Sequence, residues 1–99
     1  MIPDKEHKVR LPLADGGSIV LFELLADKSK TTDEINRNVF RLSATGEVVW
    51  QIESGAFEGE RQPFTNISFN NELKAYCWNG VEFPVDIETG ELGLGVLVK

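Results

Sequence analysis

The sequence predicts an all-β domain of roughly eight antiparallel strands, and three observations carry that prediction. Apolar residues alternate with polar ones along most of the chain, the period-two signature of half-buried strands. Turn residues punctuate the alternation: Asp15-Gly16-Gly17, Ala44-Thr45-Gly46, Asn70-Asn71, Asn79-Gly80 and Glu88-Thr89-Gly90. The implied connections are short, so neighbouring strands pair in a meander. Ninety-nine residues, 41% apolar and 26% charged, suit a single folded domain and are too few for two. The expected architecture is one twisted meander folded into a sandwich or half-open barrel.

The elements follow in order. Residues 1–7 are polar and read as a flexible N-terminus. Val9, Leu11 and Leu13 alternate with charged residues and Pro12, which marks an edge strand. Residues 19–25 are apolar on both faces except at Glu23, so this strand is covered on both sides or carries an interface. Residues 26–36 break the pattern and read as a surface loop, although Thr31 and Glu34 have the spacing of a helix capping box. Phe40 and Leu42 open the next hairpin, which returns through Val48, Trp50 and Ile52 on one face, with Trp50 in the core. Residues 54–63 hold Gly55, Gly59 and Pro63 and read as a second loop. Strands over 64–69 and 73–78 follow. Asn79-Gly80 is a strong hairpin signal leading into Val81, Phe83, Val85 and Ile87. Residues 92–98 read as a smooth C-terminal strand with no charge, an edge open to pairing.

Two segments read alike. Residues 38–50 and 81–92 both run strand, turn, strand with Thr-Gly-Glu at the turn, and Thr45 and Thr89 lie 44 positions apart. A period in the forties with strand content is typical of propeller blades. The hairpin Val85-Asp86-Ile87-Glu88-Thr89-Gly90, with Trp50 following Gly46 in the first copy, resembles the blade repeat of quinoprotein-type β-propellers. It departs from that pattern at Ser43 and in having no tryptophan after Gly90. That resemblance implies two blade-like units, too few to close a propeller ring. Val48-Val-Trp-Gln-Ile-Glu53 and Ala75-Tyr-Cys-Trp-Asn-Gly80 resemble a group of small stand-alone bacterial proteins of unknown function, which implies a fold and no activity.

The chemistry-bearing residues are sparse. His7 is the lone histidine, and Cys77 the lone cysteine. Cys77 alternates with Tyr76 and Trp78 and reads as a small buried hydrophobe rather than a nucleophile. Asp86, Glu88 and Glu91 bracket one hairpin, but without the alternating acids of a calcium loop they read as a solvated turn. Gly16-Gly17 precedes a strand, so no helix N-terminus is offered to phosphate. Asn66-Ile67-Ser68 matches a glycosylation sequon by chance. No catalytic set, metal site or cofactor is expected.

Net charge is −6. Residues 1–49 hold eight acids and seven bases (−1), and residues 50–99 eight acids and three bases (−5). Such a chain repels nucleic acid and attracts basic surfaces. No apolar run reaches the ~20 residues of a membrane helix, no apolar leader opens the chain, and a single thiol fits a reducing cytoplasm. These features point to a non-enzymatic protein-binding module, for example a small cytoplasmic inhibitor or immunity-type protein with a basic partner. The candidate partner-binding residues are the aromatics Tyr76 and Trp78 and the acids Glu82, Asp86 and Glu88. Tyr76 and Trp78 face solvent if Ala75 and Cys77 face the core, and the opposite arrangement is equally open. The alternatives are an assembly subunit, self-associating as a homodimer through the 92–98 edge, and a small-molecule-binding domain.

Overall fold

A computed structural model describes every residue except Met1, Asp4 and Lys99. The flexible stretch expected over 1–7 thus falls partly outside the described residues. Among the described residues, eight antiparallel strands form two four-stranded sheets, each a meander in chain order. The first sheet holds β1 (Val9–Pro12), β2 (Ser18–Leu21), β3 (Val39–Leu42) and β4 (Val48–Gln51). The second holds β5 (Phe64–Asn70), β6 (Glu72–Cys77), β7 (Val81–Pro84) and β8 (Val96–Leu97). The chain is therefore a sandwich of two meanders, not one continuous meander: residues 52–63 carry it from one layer to the other. The two Thr-Gly-Glu turns occupy equivalent places, each between the third and fourth strands of its sheet. No helix among the described residues is long and apolar enough to cross a membrane.

Ile19, Leu21, Val39, Trp50 and Ile52 from the first sheet meet Phe64, Ile67, Leu73, Ala75, Cys77 and Val85 from the second. A second cluster, Val20, Phe22, Leu24, Ile35 and Phe40, lies on the outer face of the first sheet. This explains why β2 is apolar on both faces: one faces the other sheet, and the other is covered by residues 22–24 and a short helix, α1 (Thr32–Asn36). The simpler reading of 26–36 as a surface loop is corrected here. Thr31 and Glu34 form a full capping box, each side chain bonding the other's backbone N–H at 2.9–3.1 Å, and Ile35 is fully buried. Burial of that one apolar residue holds a helix too short to persist alone.

Two other expectations are corrected. Phe40 pairs with Gln51 and Arg41 with Trp50, but Leu42 pairs with Val48, so Val49 is an extra residue in β4. A one-residue bulge reverses the facing of everything beyond it. Trp50 and Ile52 therefore point into the core while Val48 turns to the outer face and is exposed. The segment 92–98 is likewise not a smooth strand. Leu92 bridges Val85 and Gly93 donates to the Pro84 carbonyl, but Val96 pairs with Glu82, one place out of register. Only Val96–Leu97 is regular strand.

The interlayer crossing is fixed by two side-chain amides. Asn38, fully buried, donates from Nδ2 to the Phe22 and Phe64 carbonyls (2.6 and 2.9 Å) and accepts the Phe64 N–H at Oδ1 (2.9 Å). Asn36 repeats the device two residues earlier, donating to the Glu60 carbonyl (2.7 Å) and accepting from the Gln62 N–H (2.7 Å). A carboxamide carries the donor and acceptor of a peptide group, so these two asparagines act as strand rungs for the segment 60–64. Between them, Arg37 donates to the Ile52 carbonyl at 2.8 Å.

At the other end, Trp50 Nε1 donates to the Ile87 carbonyl (2.8 Å) and its ring lies against Gly90. Arg41 Nη1 donates to the same carbonyl (2.6 Å), and Nη2 to Asp15 (3.1 Å). The turn at 14–17 and the hairpin at 86–91 are thereby tied together across the two layers.

Candidate functional site

Along β6 the side chains of Leu73, Ala75 and Cys77 enter the core, which leaves Lys74 and Tyr76 on the outer face of the second sheet. Of the two arrangements open from sequence, the one that turns the aromatics outward is found. Tyr76 is half-buried and sits directly across from Glu82 of β7. Lys74 Nζ lies between Glu72 (3.8 Å) and Glu82 (3.9 Å). Both pairs are solvent-exposed and add little to stability.

Trp78 stands just beyond β6. Its backbone N–H donates to the Pro63 carbonyl at 2.8 Å, so the residue is anchored, yet the side chain is 59% exposed. It walls a small cleft of about 40 Å³ lined by Leu24, Leu25, Pro63 and Phe64, with Lys8 and Glu23 paired at 3.8 Å beside it. A second exposed aromatic, Phe57 at 61%, belongs to the same end of the sandwich. Its N–H donates to Gln62 Oε1 (2.9 Å), the atom that also accepts from Asn79 Nδ2 (3.3 Å). Phe57 is not among the residues the strand pattern marks as candidates, though its neighbours carry a signal. A phenylalanine within Gly55-Ala-Phe-Glu-Gly59 has no strand face to bury it.

The acids predicted to join these aromatics do not all do so. Glu82 neighbours Tyr76, but Asp86 and Glu88 lie on the hairpin at the opposite pole from Trp78, because β7 runs from the Asn79-Gly80 turn down to that hairpin. Asp86 accepts the Glu88 N–H at 2.9 Å to shape its own turn, and Glu88 lies 3.8 Å from Arg41. Glu72, Asp86 and Glu91 line one open depression there. The turn at 14–17 joins through Arg41, and Ala44 of the 43–47 turn packs against Gly16. Asp15, Glu47, Glu72, Asp86, Glu88 and Glu91, all exposed, thus collect at one pole from both halves of the chain. The Gly17 N–H, followed by the Arg41 guanidinium, holds the Asp15 carboxyl below its ordinary range.

The thiol of Cys77 is buried and donates to the Gln62 carbonyl at 3.1 Å. Burial pushes its pKa above the usual range, and neighbouring backbone N–H groups offset this only in part. We expect it to react with a thiol reagent only on unfolding, with full labelling in denaturant and labelling at least ~100-fold slower in the native state. A folded-state pKa raised in this way contributes stability below the unfolded thiol's pKa and loses it as pH rises through the folded value. The urea midpoint should therefore fall above about pH 9. His7 is exposed, its ring edge-on to Phe22 at 6.4 Å. Among the described residues no group of three or more His, Cys, Asp or Glu side chains is placed to hold a metal ion.

No curated protein and no solved structure matches the chain. A family described as "Domain of unknown function (DUF7957)" matches residues 7–94. The match takes in every strand from β1 to β7, the helix, Trp78 with its cleft and the acidic turns, and the chain belongs to that family.

Proposed function

We propose that the chain is a non-enzymatic protein-binding module that engages its partner through the face bearing Tyr76, Trp78 and Glu82. The observation that carries this reading is the tryptophan held by its backbone at the mouth of an apolar cleft with most of its indole in water. Exposing a large aromatic costs solvation free energy, and tryptophan and tyrosine are the residues most often found at the energetic centre of interfaces. Leu24, Leu25 and Pro63 offer the complementary recess for an apolar side chain of the partner.

The carboxylates at the other pole, Asp86 and Glu88 among them, supply long-range attraction to a basic partner and speed its approach. A small inhibitor or immunity-type protein, working in a reducing cytoplasm that suits the buried free thiol, is the concrete form of this reading.

The test is capture of the partner from native lysate by tagged protein at two salt concentrations. Trp78→Ala should leave the urea midpoint within about 0.5 kcal/mol of wild type and weaken capture by ~30-fold or more, the loss of about 2 kcal/mol expected at an interface centre. Higher salt should slow association without abolishing it. Undiminished capture by Trp78→Ala, or a large drop in its stability, would overturn the proposal.

A further inference from the structure

The second sheet ends at β8, which pairs with β7 on one side only. We propose that β8 pairs antiparallel with β8 of a second copy, about a twofold axis through Leu97, joining two four-stranded sheets into one of eight strands.

The backbone pattern fixes where such pairing can occur. Val98 donates to the Gly80 carbonyl, so Gly80–Val98 and Glu82–Val96 are the hydrogen-bonded pairs with β7. Val81–Leu97 lies between them, and alternation along an antiparallel ladder turns the N–H and C=O of Leu97 away from β7. Lower down, the edge is already capped, since the Leu92 N–H is taken by Glu53 Oε1 at 2.8 Å. The open hydrogen-bonding groups are thus centred on Leu97.

Among the other edge strands of the two sheets, β1 carries Pro12 and Arg10, while β4 and β5, like the 92–98 segment, have a break in register, so side-chain exposure is what sets the β8 edge apart. The β8 edge has no proline and no charge from 92 to 98. Its side chains are apolar and open, with Leu94, Val96 and Leu97 at 90%, 60% and 67% exposure.

Self-complementarity selects a second copy as the occupant. A twofold through Leu97 places Leu97 opposite its mate and Val96 opposite Val98 of the other chain, so apolar meets apolar and no like charges face each other. The acidic pole does not oppose the pairing. Glu91 is six residues from Leu97 along the strand direction, roughly 20 Å, and antiparallel pairing sends the two poles in opposite directions, roughly 40 Å apart. That is several times the Debye length of about 8 Å at physiological salt.

Sedimentation equilibrium over a wide concentration range tests this with the full chain. The wild-type mass should climb from monomer toward twice that value. Leu97→Lys, at a position already largely in water, should remain monomeric throughout and share the wild-type urea midpoint at concentrations where the wild type is monomeric. A hydrogen-bonded antiparallel pair sets the two Cα atoms ~5.5 Å apart, within easy span of a short bismaleimide. Leu97→Cys should therefore be joined by that reagent into a covalent dimer, while the wild-type chain, with its thiol buried, should not. A wild-type chain that stays monomeric would overturn the proposal and leave the edge to a strand of another protein. Dimerisation of Leu97→Lys, or failure of Leu97→Cys to crosslink, would overturn it equally. Partner capture through Trp78 should be unaffected by Leu97→Lys, which separates this result from the preceding reading.

Discussion

Asn38→Ala is expected to lower the stability of the sandwich by about 3–5 kcal/mol. The amide makes three hydrogen bonds in a fully buried setting, to the Phe22 carbonyl and to both backbone groups of Phe64. Alanine would leave those groups unsatisfied, at roughly 1–3 kcal/mol for each that water cannot reach. Against a total of roughly 5–15 kcal/mol for a domain of this kind, the variant would be marginal, with a midpoint on the order of 20 °C lower in a thermal scan. Asn38→Asp should be no better, because a carboxylate would face two carbonyl oxygens and lose the donors. Asn36→Ala should cost less, about 1–2 kcal/mol, because its partner Glu60 lies at the exposed edge of the loop. Urea titrations of the three variants would check the order. A loss below ~1 kcal/mol for Asn38→Ala would mean that water enters and replaces the amide.

Gly90→Ala should be far more damaging than Gly46→Ala, though the two glycines fill the same place in the repeated hairpin. Both have positive φ, +79° and +88°, a conformation that costs a residue with a Cβ about 1 kcal/mol. At Gly46 a new Cβ would meet nothing within 4 Å, so the strain is the whole effect. At Gly90 it would stand 2.7 Å from Cε3 of Trp50, and that ring is fixed by core packing and by its bond to the Ile87 carbonyl. Relieving the overlap costs a further 1–3 kcal/mol or more, giving about 3 kcal/mol in all. Urea midpoints at constant slope, with tryptophan emission reporting any displacement of the ring, would measure the difference. Equal losses at the two sites would show that Trp50 moves aside freely.

The elements themselves were legible in the letters, for a local reason. Whether a residue faces in or out along a strand, and whether Asn71, Gly80 or Gly90 can take a positive φ, depends on the residue and its immediate neighbours. The alternation at Ala75, Tyr76 and Cys77 and the hairpins at Asn79-Gly80 and Thr89-Gly90 were accordingly found where the sequence placed them. The candidate site was half legible. Its aromatics and Glu82 come together because they are neighbours on a strand and across one ladder. Phe57 has no strand alternation around it to mark it, and Asp86 and Glu88, close to Glu82 in the chain, stand on a surface apart from the aromatics.

What escaped a local reading depends on contacts between distant segments. A bulge at Val49 turns Val48 outward because Trp50 must meet Gly90 in the other layer, about forty positions away. Capping at Thr31 marked where a helix could start, but burial of Ile35 against Phe22 and Phe40 makes it persist. Asn36 and Asn38 look like ordinary loop polar residues until segment 60–64 lies beside them. The sequence by itself determined the strands, their turns and the composition of the core, because period and φ preference are properties of adjacent residues. Only the tertiary structure decided the two-layer split and the separation of an aromatic pole from an acidic one, because each depends on which turns the packing of the two sheets sets side by side.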